Sequence, residues 1–228
     1  MLAAIATCCG CERSSAVVVD FPDAALESAI RRVIAKHEGP INDTDLIGLT
    51  HLSANDRGIS NLEGIEYCVD LTNLVLPRNQ IANIDLLSQV PELVVLDLRE
   101  NQIDDVSVLS SLSHLERLSL SGNQISDIGG LPASRQLSLI ELNDNEIADI
   151  GRLGTLADLT VLELGGNQIV DISALSRCRN LTRLYLGGNQ IVTIGVLSGL
   201  RNLTWLYLDE NRIIDIEPLS NLVNLTWL

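Results

Sequence analysis

Seven asparagines, Asn79, Asn101, Asn123, Asn145, Asn167, Asn189 and Asn211, follow one another at a spacing of 22 residues without a slip. Around each, the chain repeats LxxLxLxxNxIxxIxxLxxLxx, and the copy beginning at Leu203 is complete: Leu203, Leu206, Leu208, Asn211, Ile213, Ile216, Leu219 and Leu222. One unit of this length cannot bury its own apolar face. A strict period therefore commits the chain to a stack of coils in which each covers the next.

The pattern is the leucine-rich-repeat signature, a short strand and a return segment in every unit. It predicts an α/β solenoid, a shallow horseshoe with a parallel β-sheet on the concave face. A parallel strand needs a crossover, and about a dozen residues leave room on the convex side only for short 3₁₀ or extended turns. Counting Leu49 as position one, the apolar residues at one, four, six, eleven, fourteen, seventeen and twenty point inward. Each contributes roughly 1.5 to 3 kcal/mol once neighbours cover it. The asparagine stands at position nine, where the chain leaves the strand and its backbone groups lose their ladder partners. An unsatisfied group there costs about 1 to 3 kcal/mol, and an amide offers both donors and acceptors. The seven asparagines are thus read as a structural ladder. Position thirteen carries Asp105, Asp127, Asp149, Asp171 and Asp215, with Asn61, Asn83 and Thr193. These types cap helical turns, and a single file of carboxylates does not converge as a calcium site must.

Before the repeats, "FPDAALESAIRRVIAKHEG" reads as one amphipathic helix with Pro22 in its first turn, Leu26, Ile30, Val33 and Ile34 on one face, and Gly39-Pro40 as its stop. "NDTDLIGL" then offers a capped helical turn. The expected organisation is an N-terminal segment over 1–19, a helical cap over 20–48 and the repeat domain over 49–228, with about eight units and the start of a ninth. The unit Leu49–Asp70 keeps the spacing but has Ala54 for a leucine and Arg57 for the asparagine. A buried arginine is costly, so this coil is transitional. The chain ends at "NLTWL" with a leucine face uncovered, as expected of a protein that continues or of a fragment.

Thirty acidic residues against fifteen basic ones give a net charge of -15. Repulsion from phosphate argues against nucleic acid as a partner. Cys68 and Cys178 hold position twenty, where other units have Val90, Leu112, Leu156, Leu200 or Leu222. They read as small core residues about 24 Å apart, too far for a disulfide. The opening "MLAAIATCCGCERSS" is too short in its apolar run to span a bilayer and lacks a basic start. "IATC" ending at Cys8, and less well "CCGC" ending at Cys11, look like a lipoprotein cleavage box, which makes Cys8 and Cys11 candidate lipidation sites. An uncleaved disordered tail and a thiolate metal site are the alternatives, the last lacking nearby ligands to complete four.

The "FPDAALESAI" cap, the first unit "LSANDRGISNLEGIEYCVDLTNL" and the repeats "LxxLxLxxNQIxDIxxLxxL" together resemble the internalin-type bacterial surface leucine-rich-repeat proteins over residues 20–228. The resemblance implies a rigid, non-enzymatic module, without cofactor, that grips a protein partner on its concave sheet at the cell envelope or outside the cell. A cytosolic regulatory subunit scaffolding an enzyme such as a phosphatase, and a piece of a longer adhesin, are the alternatives. A monomer is expected.

In LxxLxL the residues at positions three, five and seven alternate outward. "LELGGNQI" at 162–169 and "LYLGGNQI" at 184–191 differ only at such a place, Glu163 against Tyr185. Four of the six aromatic residues, Tyr185, Trp205, Tyr207 and Trp227, gather toward one end of this face. Asp97, Arg117, Glu141, Glu163, Arg183 and Asp209 accompany them. Exposed Trp, Tyr and Arg in a cluster is the composition of binding hot spots, which points to a protein or peptide ligand with basic and apolar features. Catalysis has little support. His37, His51 and His114 lie in different elements, and the "LGGN" tracts are strand-exit turns without a following helix. Glu141 and Glu163 are expected about 5 Å apart on adjacent strands, but an open face is expected neither to exclude water nor to raise a carboxyl pKa. "NLT" at Asn180, Asn202 and Asn224 matches glycosylation acceptors, yet the fixed repeat position argues for a turn.

Overall fold

A computed structural model describes residues 16–228. Cys8 and Cys11, with the lipidation reading, lie outside the described residues. Eight strands form one parallel sheet in chain order: β1 His51–Ser53, β2 Asn73–Val75, β3 Val95–Asp97, β4 Arg117–Ser119, β5 Leu139–Glu141, β6 Val161–Glu163, β7 Arg183–Tyr185 and β8 Trp205–Tyr207. Each residue pairs with the one 22 positions on, as Leu162 with Leu184 and Leu184 with Leu206, so every repeat position becomes a straight column. The return segments carry single 3₁₀ turns, among them Ser107–Ser111, Ser173–Arg177 and Gly195–Gly199. This is a leucine-rich-repeat solenoid.

The inward letters form one continuous core. Leu181, Leu184, Leu186, Ile191, Leu197 and Leu200 have no exposed surface. Cys68 and Cys178 are equally buried free thiols, pushed up by that burial to about 12 and about 11. The coil between β4 and β5 lacks the 3₁₀ turn. There Gly130 packs so closely on the previous coil that a Cβ would stand 2.5 Å from the Val106 carbonyl oxygen, and Ser134 takes the buried position twenty, its hydroxyl accepting from Gln136 N–H.

Each ladder asparagine joins two coils. Asn145 Oδ1 accepts from Ile125 N–H of the preceding coil at 3.0 Å, while Nδ2 donates to Leu120 O at 3.1 Å and to Leu142 O of its own coil at 3.2 Å. Asn189 repeats the set with Ile169 N–H, Leu164 O and Leu186 O. Position eight, just before it, is left-handed wherever the chain turns inward, as at Arg78, Glu100, Asp144 and Glu210, and as at Gly166 and Gly188 in the two "LGGN" tracts. The position-thirteen carboxylates accept from the first N–H of the convex turn, as Asp105 does from Ser107 and Asp171 from Ser173, both at 2.8 Å. Two further ladders went unrecognised as such in the sequence. Thr72, Thr160, Thr182, Thr204 and Thr226 donate their hydroxyls to the carbonyl of the same position one coil earlier. Asn180, Asn202 and Asn224 donate to the convex carbonyls of Ala157, Arg179 and Arg201.

The cap helix α1 is shorter than its sequence suggests, running Ala24–Val33 with Asp23 as N-cap and Pro22 outside it. It stops well before Gly39, at a left-handed Ala35. The physical reason is Arg31, whose guanidinium donates to Lys36 O and Gly39 O and holds the chain as it turns away. Val33 is consequently exposed, leaving Leu26 and Ile30 as the residues fully buried on the inner face. After the helix, Asp43–Asp45 forms a 3₁₀ turn closed by a reciprocal cap from Asn42 and Asp45.

Candidate functional site on the concave sheet

The strict register turns the outward positions into parallel files of side chains. Position five runs through Asp97, Ser119, Glu141, Glu163, Tyr185 and Tyr207, and position three through Arg117, Leu139, Val161, Arg183, Trp205 and Trp227. At the β7–β8 end the aromatic rings stack along both files. Tyr185 and Tyr207 have centroids 4.6 Å apart and 9° from parallel, and Trp205 and Trp227 are 5.2 Å apart at 21°. The Arg183 guanidinium lies over the Trp205 ring at 5.6 Å. Such offset stacks and cation–π contacts fix the rings at little further entropic cost on binding. Tyr207 and Trp227 stay exposed, and Asp209 lines the same shallow hollow as Tyr185 and Tyr207.

The middle of the sheet is more tightly tied than the sequence suggests. Asp97 is 9% exposed, because Arg99 at position seven folds back on it with Nε and Nη2 at 3.0 and 2.8 Å. Asp97 was expected to present a free carboxylate. A two-point pair with a neighbouring guanidinium withdraws it instead. Arg99 also reaches to 3.8 Å from Glu141, and hydrogen bonding to Asp97 in particular raises its own pKa. Glu163 accepts from Asn143 Nδ2 at 2.6 Å, and Asn143 in turn accepts from Gly165 N–H at 2.7 Å. Arg99 and Asn143 were not singled out from sequence, although position seven is an outward position; the signal was there in the alternation.

An open face was expected to leave its carboxyls unperturbed, and Glu163 overturns that. Burial against the sheet raises its pKa, the Asn143 bond works against the rise, and neighbouring Glu141 adds to it. Burial likewise pushes the Tyr185 phenol up, with the Glu163 charge beside it as a second cause. Arg117 sits apart from the aromatic group, three strands from β7. Among the described residues, no three histidine, cysteine or acidic side chains converge as a metal site would require, and no helix is long and apolar enough to cross a membrane.

Comparison with known proteins now bears on this geometry. A family model of leucine-rich repeats in two copies matches residues 91–133, and a second leucine-rich-repeat model matches 135–191 and 170–213. Internalin H of Listeria monocytogenes is 41% identical over 69 residues, a stretch that is 28% of this chain and 12% of that protein. The plant peptide hormone receptor RGFR1, solved in complex with RGF2, superposes with a TM-score of 0.65 at 26% identity, over 77% of this chain and 31% of that one. The crystal structure of internalin C2 from Listeria monocytogenes superposes with a TM-score of 0.86 at 34% identity, over 90% of this chain and 92% of that one. Matching internalin C2 in fold and sequence along nearly the whole of both chains, this protein belongs to the internalin-like family of bacterial leucine-rich-repeat proteins.

Proposed function

We propose that this protein-interaction module takes its partner on the concave sheet, and that Tyr185, Trp205, Tyr207 and Trp227 anchor it. The observation that carries the reading is the paired stack at the β7–β8 end, where two files of rings stand side by side on one rigid surface. Aromatic anchors with a neighbouring arginine concentrate binding energy in this way. Arg183 belongs to this anchor through Trp205. Glu141, Glu163 and Asp209 supply negative charge next to it, which suits a ligand segment pairing apolar side chains with lysine or arginine; Arg117 and the Arg99-bound Asp97 lie at its margin. The partner class is a protein or peptide.

Panning a displayed peptide library against the protein, then measuring selected peptides by calorimetry, tests this directly. Trp205→Ala with Tyr207→Ala is expected to weaken them by more than about a hundredfold, two hot-spot residues being removed. Affinity within twofold of the parent would sink the reading. The family likeness also supports export, and the cleavage-box letters ending at Cys8 and at Cys11 support lipid attachment at one of them. Metabolic labelling with a palmitate analogue in a bacterial host should give label that Cys8→Ser or Cys11→Ser removes, whereas unlabelled soluble protein would turn attention to the cytosolic alternative.

A further inference from the structure

At the opposite end of the sheet from the aromatic stacks, α1 and the first coil border a cleft of about 450 Å³ that is open to solvent on one side. Its origin lies in two departures from the repeat. Every later coil fills position six with leucine and position nine with asparagine, whereas the first has Ala54 and Arg57. Alanine in place of leucine leaves the volume of three carbons, an isopropyl group, unfilled. The helix does not refill it, because the wall it presents is Ala25, Ser28, Ala29 and Arg32, four positions on one helical face of which three are small.

The polar lining has one electrical character. Arg32 approaches from the helix and Arg57 from the coil, with the Ser28 and Ser53 hydroxyls and the Asn55 amide around them. Among the described residues no carboxylate lines this cleft, in a chain with thirty acidic residues. The nearest cations on the helix and its exit are already engaged, Arg31 with Glu27 at 2.7 Å and Lys36 with Asp45. Among the described residues neither the Arg32 nor the Arg57 side chain takes part in an ion pair. Arg57 keeps only the backbone part of the ladder, its N–H donating to Asn79 Oδ1 at 3.0 Å, so its guanidinium is free of the scaffold.

The geometry points to a second binding site here, for a small molecule or side group that carries an oxyanion of the carboxylate or phosphate class. Two guanidiniums from separate elements give forked donors on two sides of an anion, the arrangement arginine favours with these groups. Hydroxyl and amide groups complete a donor-rich lining, and the volume falls within the range of small-ligand pockets, roughly 300 to 1,000 Å³. The site is independent of the aromatic surface. Ser53 and Asn55 nonetheless lie at positions five and seven of their coil, so a bound anion sits at the margin of the concave sheet.

The test is an NMR titration of the full chain with sodium phosphate and, separately, sodium glutarate, at constant ionic strength held by chloride. The arginine Nε–Hε signals of Arg32 and Arg57 should shift and saturate in the low millimolar range or below with one or both anions. Saturation by phosphate alone or by glutarate alone assigns the class. Arg32→Gln and Arg57→Gln, both at exposed side chains, should each weaken binding at least about tenfold. Arg177→Gln with Arg179→Gln removes more charge from a distant convex turn and should leave it unchanged. Shifts that climb without saturation for both anions would overturn the site, as would arginine variants that bind like the parent. Trp205→Ala with Tyr207→Ala should bind the anion normally, which separates failure here from failure of the concave-sheet reading.

Discussion

The first coil and the second to eighth solve one problem in different ways. In the later coils the strand exit is closed from within, by an asparagine that bonds its own turn and the coil before it. The first coil has no coil before it and no asparagine at position nine. Its exit is held from both sides by neighbours: Asn79 of the next coil accepts from Arg57 and Ile59 N–H and donates to Ala54 O, and the cap supplies Asp23. One Asp23 oxygen caps α1 through Ala25 and Leu26 N–H, and the other accepts from Ser60 and Asn61 N–H of the coil. The identical letters of the repeat thus mark what stacking requires, and a departure from them shows where stacking has been replaced by something else.

Substituting the same repeat position in the two regions gives the widest contrast. Asn145→Ala leaves Ile125 N–H buried without a partner and removes one of the two donors at each of the Leu120 and Leu142 carbonyls, which still accept from Asn123 and Asn167. At about 1 to 3 kcal/mol for the orphaned N–H, with about 0.5 to 1.5 kcal/mol for each further hydrogen bond lost, a loss of about 3 kcal/mol is expected in urea unfolding. Arg57→Ala, also at position nine, should change stability by less than about 0.5 kcal/mol because its side chain is outside the ladder. Equal losses would show that position nine matters alike in every coil, and the comparison would fall.

The cap side of the contrast rests on Asp23. Asp23→Ala removes one helix cap and the clamp on Ser60 and Asn61, and about 2 kcal/mol is expected. Partial burial opposes its ionisation, but the N–H groups of Ser60, Leu26, Asn61 and Ala25 outweigh this and hold its pKa below the usual value. A depressed carboxyl stabilises the fold above its unfolded pKa and loses that contribution as pH falls through the folded value. Parent stability should therefore drop below about pH 4 by an amount that Asp23→Ala no longer shows. If parent and variant declined in parallel there, the clamp would not depend on the charge.

How much of this was legible in the sequence follows the same division. The coils, the asparagine column, the capping carboxylates and the files of aromatic residues come directly from period and alternation, since a fixed register turns a repeat position into a place in space. What escaped depends on where long side chains reach. Arg31 ends α1 by bonding carbonyls five and eight residues ahead, and Arg99 withdraws Asp97 from the face. Asp23 carries no mark in the sequence beyond its negative charge at the start of the helix, and its second oxygen meets residues 37 and 38 positions away. Neither spacing nor composition records such contacts.

The smallest expected effect probes the face itself, at Glu163. Its pKa is raised, chiefly because the sheet desolvates it and further by Glu141, with Asn143 opposing. In the window from the unfolded glutamate value, about 4.3, up to the raised folded value, the folded state holds the proton more tightly than the unfolded one. Stability from this group is therefore present at low pH and declines across that window as the side chain ionises. Glu163→Gln keeps an oxygen for Asn143 Nδ2 and removes the charge, so it should be the more stable protein at pH 7, by roughly 0.5 kcal/mol after screening at a half-exposed site. It should also lack the decline just above pH 4.3. Unfolding midpoints at pH 4 and pH 7 for both proteins would show it. A parent that gains stability across the window relative to Glu163→Gln would mean that the Asn143 bond outweighs desolvation, and the carboxylate would then belong to the scaffold rather than to a surface held ready for a cationic group.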